Sequence, residues 1–209
     1  HRPDAGTITW RGEEVSFPDP ISALRAGVAT IYQELDVIDS LSVADNIMLG
    51  HELSTLGWMR RSAARDRAKT LLEQLGHPEI SPTIEVGRLS AARRQIVAMA
   101  RALSHSAQLV IMDEPSSVLD TEEVDNLFRV IHRLTESGMG VVYISHRLEE
   151  VRRIGDRLTV LKDGRSTASG LPVAETPTSQ IVRLIIGHEG TLDFPDRPGV
   201  AADAPVVLK

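Results

Sequence analysis

The residues best placed to do chemistry are Asp113 and Glu114, which interrupt the stretch 108–120, QLVIMDEPSSVLD. They follow Leu109, Val110, Ile111 and Met112 directly. So short an apolar run does not make a helix and suits a strand buried on both faces of a parallel sheet. The carboxyl ends of such strands open into the crevice where open α/β sheets bind their ligands. Two adjacent carboxylates therefore stand where a reaction is usually carried out. The plainer alternative is a core strand that ends in a polar turn.

Two further apolar runs end in polar groups. Residues 28–33, VATIYQ, end in Gln33, and residues 140–145, GVVYIS, are followed by His146. Three strands of a parallel sheet would bring Gln33, the Asp113–Glu114 pair and His146 to one edge. Taken alone, Gln33 is more simply a loop side chain bonding backbone.

The elements that must position these groups are legible around them. Residues 7–10 and 15–17 flank the turn-like Arg11-Gly12-Glu13 and predict a hairpin at a sheet edge. A short helix over 21–26 is closed by Gly27. In 41–50, LSVADNIMLG, Ser42 precedes Asp45 by three positions, a helix-start pattern. From Arg61 onward Ala64, Ala68, Leu71, Leu72 and Leu75 fall at helical spacing until Gly76. With no strand pattern between these helices, they predict a helical lobe, about 41–106, inserted into an α/β core. His51 and His77 read as surface residues, since no second ligand stands at metal spacing.

The lobe ends in LSAARRQIVAMARALSHS, residues 89–106. Ser90 is a good N-cap, and Ile96, Ala100 and Leu103 form the buried stripe of the helix it starts. A helix start offers free N–H groups to an anion. Arg93 and Arg94 in its first turn oppose the macrodipole by ~0.3 to 1 kcal/mol each at an exposed site, which points either to a partner or purpose or, equally, to a solvated arginine pair on an ordinary helix. Beyond the central strand, Asp120 and Glu123 resemble a capping box for a helix with Val124, Leu127, Phe128, Ile131 and Leu134 on its apolar face. A helical stretch RLEEVRRI follows His146, then a strand with an Asp-Gly turn over 157–165 and a last helix over 179–186. From Gly187 onward Gly, Pro, Asp and Ala dominate until VVL at 206–208, which reads as a linker running into a new strand.

Composition narrows the class. At 209 residues one sizeable α/β domain with tails is the expectation. A net charge of -6 argues against a nucleic-acid partner, which would need clustered basic surface. With 0 cysteines the chain has no disulfide, thiolate metal site or cysteine nucleophile. No run approaches the ~20 apolar residues of a membrane span, so any membrane link is expected to be peripheral. The chain begins at His1, compatible with a piece of a longer polypeptide.

As an ordered set, these segments resemble the ATP-binding cassette of ABC transporters. IYQE matches the glutamine loop at Gln33, LSAARRQ stands at the signature position, LVIMDEP is similar to the Walker B strand, SSVLD to the D-loop, and YISH to the switch histidine at His146. RPDAGTI, IYQELDVIDSLSVADNIMLG and ISHRLEEV are most similar to the first cassette of the double-cassette ATPases that energise monosaccharide importers. The interval from Gln33 to Ser90 has no room for the long coiled coil of chromosome-organising relatives, and the absence of cysteine excludes the zinc modules of excision-repair relatives.

The resemblance implies a P-loop NTPase-like α/β core with a mixed, mostly parallel sheet and an inserted helical subdomain, the cassette spanning 1–187 and a linker toward a second cassette spanning 188–209. It implies ATP and Mg²⁺ as cofactors. Asp113 and Gln33 would hold the Mg²⁺, Glu114 would orient or deprotonate the attacking water, and His146 would contact the γ-phosphate. Ser90 and Ala92 of the signature would face nucleotide held by a second cassette, and Asp120 would cross the interface between the two. The implied partners are that second cassette, membrane-spanning permease subunits and, indirectly, a substrate-binding protein, with the chain on the cytoplasmic face of the membrane. The alternatives are an inactive regulatory half-cassette and a soluble ABC ATPase outside transport.

Two departures from the family pattern bear on activity. No GxxxxGK[ST] phosphate loop occurs in the sequence, which is expected to start just beyond it, with the opening strand also missing. The two glycine positions of the signature are Ala91 and Ala92. If those positions needed left-handed backbone, a Cβ there would cost ~1 to 2 kcal/mol, and the phosphate contact is expected to weaken.

Overall fold

The computed structural model describes residues 3–32, 37–50, 54–55, 58–105 and 107–187, with backbone alone at 54–55 and 58–59. The chain forms two compact units, divided between Gly155 and Asp156.

The first unit opens with β1 (Ile8–Trp10) and β2 (Glu13–Val15), paired antiparallel. Arg11 and Gly12 between them both have positive φ (54° and 83°), the geometry of a tight hairpin turn. The hairpin is tied down by Trp10, whose Nε1 donates to Ala26 O (3.0 Å), and by Arg11, whose Nε donates to Gln108 Oε1 (2.9 Å). Helix α1 (Pro20–Arg25) starts at a capping box in which Asp19 Oδ1 accepts from Ser22 N–H at 2.7 Å. β3 (Val28–Ile31) follows.

The lobe begins with α2 (Val43–Ile47), capped by Ser42 as the spacing predicts. Asn46 on this helix is wholly buried, with Oδ1 accepting from Ile38 N–H and Nδ2 donating to Ile38 O and Ser42 O. It thereby fixes the segment that leads into the lobe. Two short strands, β4 (Ser54–Thr55) and β5 (Trp58–Met59), pair antiparallel where only helices were expected. Two residues per strand are too few to leave a periodic signature. Helix α3 (Arg61–Gln74) buries Ala68, Leu71 and Leu72, and Gly76 ends it at φ 81°. A 3₁₀ turn over Val86–Arg88 precedes α4 (Ala91–Ser104).

β6 (Leu109–Asp113) and α5 (Thr121–Glu136) come next, then β7 (Gly140–Ile144) and α6 (Leu148–Ile154). The order β3-β6-β7 is parallel throughout, with Ile31 opposite Met112 and Met112 opposite Tyr143. On one face Ala29, Ile31, Val110 and Met112 are buried, and Val141 and Tyr143 pack against the same core. Fully burying side chains such as Ile31, Val110 and Met112 stabilises by ~1.5 to 3 kcal/mol each. On the other face Val142 and Ile144 are each 45% exposed. The reading of β7 as a buried strand thus holds on one face only, since an apolar run records strand preference rather than what covers each face.

His77 is not the surface residue expected. Its side chain is only 13% exposed. Asn126 Nδ2 on α5 lies 3.2 Å from its Nε2 and donates to Leu75 O at 2.9 Å, while Glu79 lies 3.1 Å from its Nδ1. His51 lies outside the described residues.

The second unit pairs β8 (Arg157–Lys162) with β9 (Arg165–Pro172) through the Asp163-Gly164 turn. β9, RSTASGLP, alternates too little to be predicted beyond its first residue. Helix α7 (Thr178–Ile186) buries Ile181 and ends at Gly187, which adopts left-handed backbone. Residues 188–209, expected to be linker, lie outside the described residues.

Candidate functional site

β6 and β7 are parallel and in register to their ends, where Asp113 stands opposite Ile144. Their carboxyl ends therefore deliver Asp113, Glu114 and His146 to one edge. Glu114 is the first residue past β6, and its backbone is left-handed at φ 46°. Its N–H donates to Ile144 O at 3.0 Å, so the turned-out backbone stays tied to the neighbouring strand. A non-glycine residue held in this region costs of order 1 to 3 kcal/mol, which functional sites commonly store.

The side chain so aimed meets His146, with Nδ1 2.8 Å from Glu114 Oε1. An ionised carboxylate only accepts, so Nδ1–H donates. That bond sets the tautomer, and Nε2 has no partner among the described residues. The imidazole is 73% exposed and the Glu114 side chain 27%. A half-sheltered carboxylate bonded to an accessible imidazole is an arrangement suited to taking a proton from water, and the ring can donate through Nε2 to an anion only once it is protonated.

Downstream of Glu114, turns closed by Ser117 N–H to Glu114 O and Leu119 N–H to Ser116 O bring the chain to Asp120. Asp120 caps α5, with Oδ1 accepting from Glu123 N–H (2.9 Å) and its own N–H donating to Glu123 Oε2 (3.1 Å). The capping box is as predicted.

Ser90 is the N-cap of α4, its Oγ accepting from Arg93 N–H at 3.3 Å. Ala91 and Ala92 are the first residues of that helix. Neither has positive φ. The expected left-handed penalty at the two alanines is therefore absent, because a helix start needs no such backbone. Arg94 has the purpose its position called for. Nε donates to Leu89 O (3.1 Å), one terminal nitrogen donates to Gly87 O (2.8 Å) and the other lies 3.3 Å from Asp39 Oδ1. Arg93 is exposed. Gln33 lies outside the described residues. No hydrogen bond or ion pair among the described residues joins Ser90 or Ala92 to the Glu114–His146 pair.

Sequence reasoning passed over Glu150 on α6. It is buried, and burial alone would raise its pKa. Donors from Arg147, Ser116, Tyr143 and Ser145 outweigh burial and hold its carboxyl below the ordinary value. Its place about 40° round the helix from Ile154, at ~100° per residue, was the available signal, but α6 is too short for periodicity to single it out.

Comparison with known proteins identifies the family. A family model described as ABC transporter matches residues 1–117, more than half of the chain. The ribose import ATP-binding protein RbsA 2 of Streptomyces coelicolor is 43% identical over 98% of this chain and 39% of its own length. RbsA 1 of Rubrobacter xylanophilus is 43% identical over 94% of this chain and 39% of its own. The chain thus spans about two fifths of the length of these curated relatives. Among solved structures, the ATP-binding cassette MJ0796, dimeric and bound to ADP and Pi, superposes with a TM-score of 0.68 at 25% identity over 79% of this chain and 74% of its own. The cassette MJ1267 has the same fold, with a TM-score of 0.71 at 21% identity over 87% of this chain and 77% of its own. Polar groups carried at the ends of parallel strands, a helical lobe opening a capped helix, and the matched family model lead to one conclusion: the chain belongs to the ABC transporter family.

Proposed function

We propose that this chain is the ATP-binding and ATP-hydrolysing part of an importer for a simple sugar, coupling hydrolysis to uptake. The observation that carries the reading is the 2.8 Å contact between Glu114 and His146 at the ends of adjacent parallel strands. The ribose-import names of the relatives support the substrate class. Residues 1–187 form the cassette in this reading and 188–209 the linker to a second.

Asp113 presents a hard oxygen donor at the strand end. A carboxylate oxygen suits Mg²⁺, which takes one or two carboxylates and completes its shell with phosphate oxygens and water. Bound with ATP, the ion supplies charge stabilisation at the phosphates. Asp113 would hold it, and the resemblance gives Gln33 the roles of Mg²⁺ sensor and link to a membrane subunit.

Glu114 orients water and accepts its proton. The Nδ1–H bond to Glu114 holds the His146 ring, so that Nε2 is available to donate to the γ-phosphate when protonated. Ser90, Ala92 and the start of α4 offer backbone N–H groups to nucleotide bound by a second cassette. Asp120 caps α5, and the resemblance gives it the further role of crossing that interface. No helix among the described residues is long and apolar enough to cross a membrane. The partners proposed are a second cassette, permease subunits and a substrate-binding protein, with the chain docked peripherally on the cytoplasmic face.

The test uses the ATPase expressed from its entire coding sequence. Glu114→Gln should retain ATP binding and slow hydrolysis at its own site by about 10² to 10⁴-fold, leaving only the turnover of the second cassette's site, and sugar uptake should fall with it. Undiminished hydrolysis would refute the assignment of Glu114.

A further inference from the structure

The buried carboxylate of Glu150 lies at the meeting point of the two loops that carry the reacting groups. Its oxygens accept from Ser116 Oγ at 2.8 and 2.9 Å, from Tyr143 OH at 2.9 Å, from Ser145 Oγ at 2.9 Å and from Arg147 at 2.9 Å. Ser116 stands two residues beyond Glu114. Ser145 and Arg147 are the chain neighbours of His146, and Ser145 Oγ also accepts from Arg147 N–H at 3.0 Å. One carboxylate therefore grips the loop after β6 and both sides of the switch histidine.

The demand for these partners is strong. A charged group left buried without donors is strongly destabilising, so the contacts to Glu150 hold the loops more firmly than a surface ion pair would. The Glu114–His146 bond, by contrast, joins a half-exposed pair that has little of its own to hold it. We propose that Glu150 is a positioning residue that fixes the spacing between Glu114 and His146, acting on hydrolysis through that contact. This inference rests on the proposed roles of Glu114 and His146.

An amide at position 150 keeps the shape and turns one acceptor into a donor facing donors. In the ATPase expressed from its entire coding sequence, Glu150→Gln should lower kcat by about 10-fold while KM for ATP moves less than about 3-fold, the pattern of a contact made in the transition state. In a His146→Ala background the same change should cost less than about 2-fold, because residues acting through one contact are not additive. Tyr143→Phe removes one donor and keeps the ring that meets Phe128 edge-on at 6.1 Å. It gives a milder test, about 3-fold alone and none in the His146→Ala background, should Glu150→Gln fail to fold. Additive losses in both cycles, or a loss confined to KM, would overturn the inference. If His146→Ala alone leaves hydrolysis unchanged, it is the assignment of His146 that fails.

Discussion

His146 Nδ1 and Glu114 Oε1 lie 2.8 Å apart, a bond that crosses from the loop after β7 to the residue after β6. It makes the histidine's tautomer depend on the acid's charge. His146→Gln should therefore retain more hydrolysis than His146→Ala, since an amide N–H still donates to the carboxylate. Steady-state ATPase of the two variants decides it, and equal loss would mean that the ring's second nitrogen carries the whole effect.

Arg94 and Arg93 should separate cleanly in stability. Arg94 bonds Leu89 O and Gly87 O and pairs with Asp39. Its removal leaves acceptors unpaired and should cost ~1 to 3 kcal/mol. Arg93→Ala at the exposed neighbouring position should stay within ~0.5 kcal/mol of the parent. Urea unfolding of both variants measures the difference.

At Ala92 the helical backbone reverses the effect expected of a signature glycine. Ala92→Gly should destabilise by ~0.5 to 1 kcal/mol, as glycine does inside a helix. A gain in hydrolysis would then have to come from closer approach of backbone to phosphate. Thermal melting together with ATPase assays separates the two contributions.

Gly76 should resist substitution. A Cβ there would lie 2.7 Å from Asn126 Oδ1, and its φ is 81°. Gly76→Ala should cost ~1 to 2 kcal/mol from backbone alone, and more if Asn126 loses its bond to Leu75 O. An unchanged unfolding midpoint would show that this junction of lobe and core yields freely.

Acid should loosen the Glu150 hub. Because its folded pKa lies below the ordinary carboxylate value of 4.5, the unfolded chain binds the proton more readily. The stabilisation is complete above 4.5 and is lost as pH falls through the lower folded value. Glu150→Gln should flatten this part of the stability profile, read by melting between neutral and acid pH. An unaltered acid limb would place the titration elsewhere.

Much of this was legible from sequence because local signals and tertiary context agree. The caps at Ser42, Ser90 and Asp120 follow from side-chain chemistry within three residues. The strand ends at Asp113 and His146 follow from apolar runs meeting polar groups. The Glu150 hub was not legible, since its donors come from positions up to 34 residues away and a buried glutamate is indistinguishable in sequence from a solvated one. The exposed face of β7 was equally hidden, because an apolar run records what a strand prefers rather than which neighbours it has.

The backbone at position 114 also determines which substitutions evolution or a laboratory library can sample there. At φ 46° a β-branched side chain is excluded on conformational grounds, whereas glycine and asparagine are welcome. A library screened only for soluble folded protein should drift toward those two residues at codon 114. A library screened for the ATP hydrolysis proposed for Glu114 should keep glutamate. The divergence between the two outcomes would measure how much folding stability this position gives up for function.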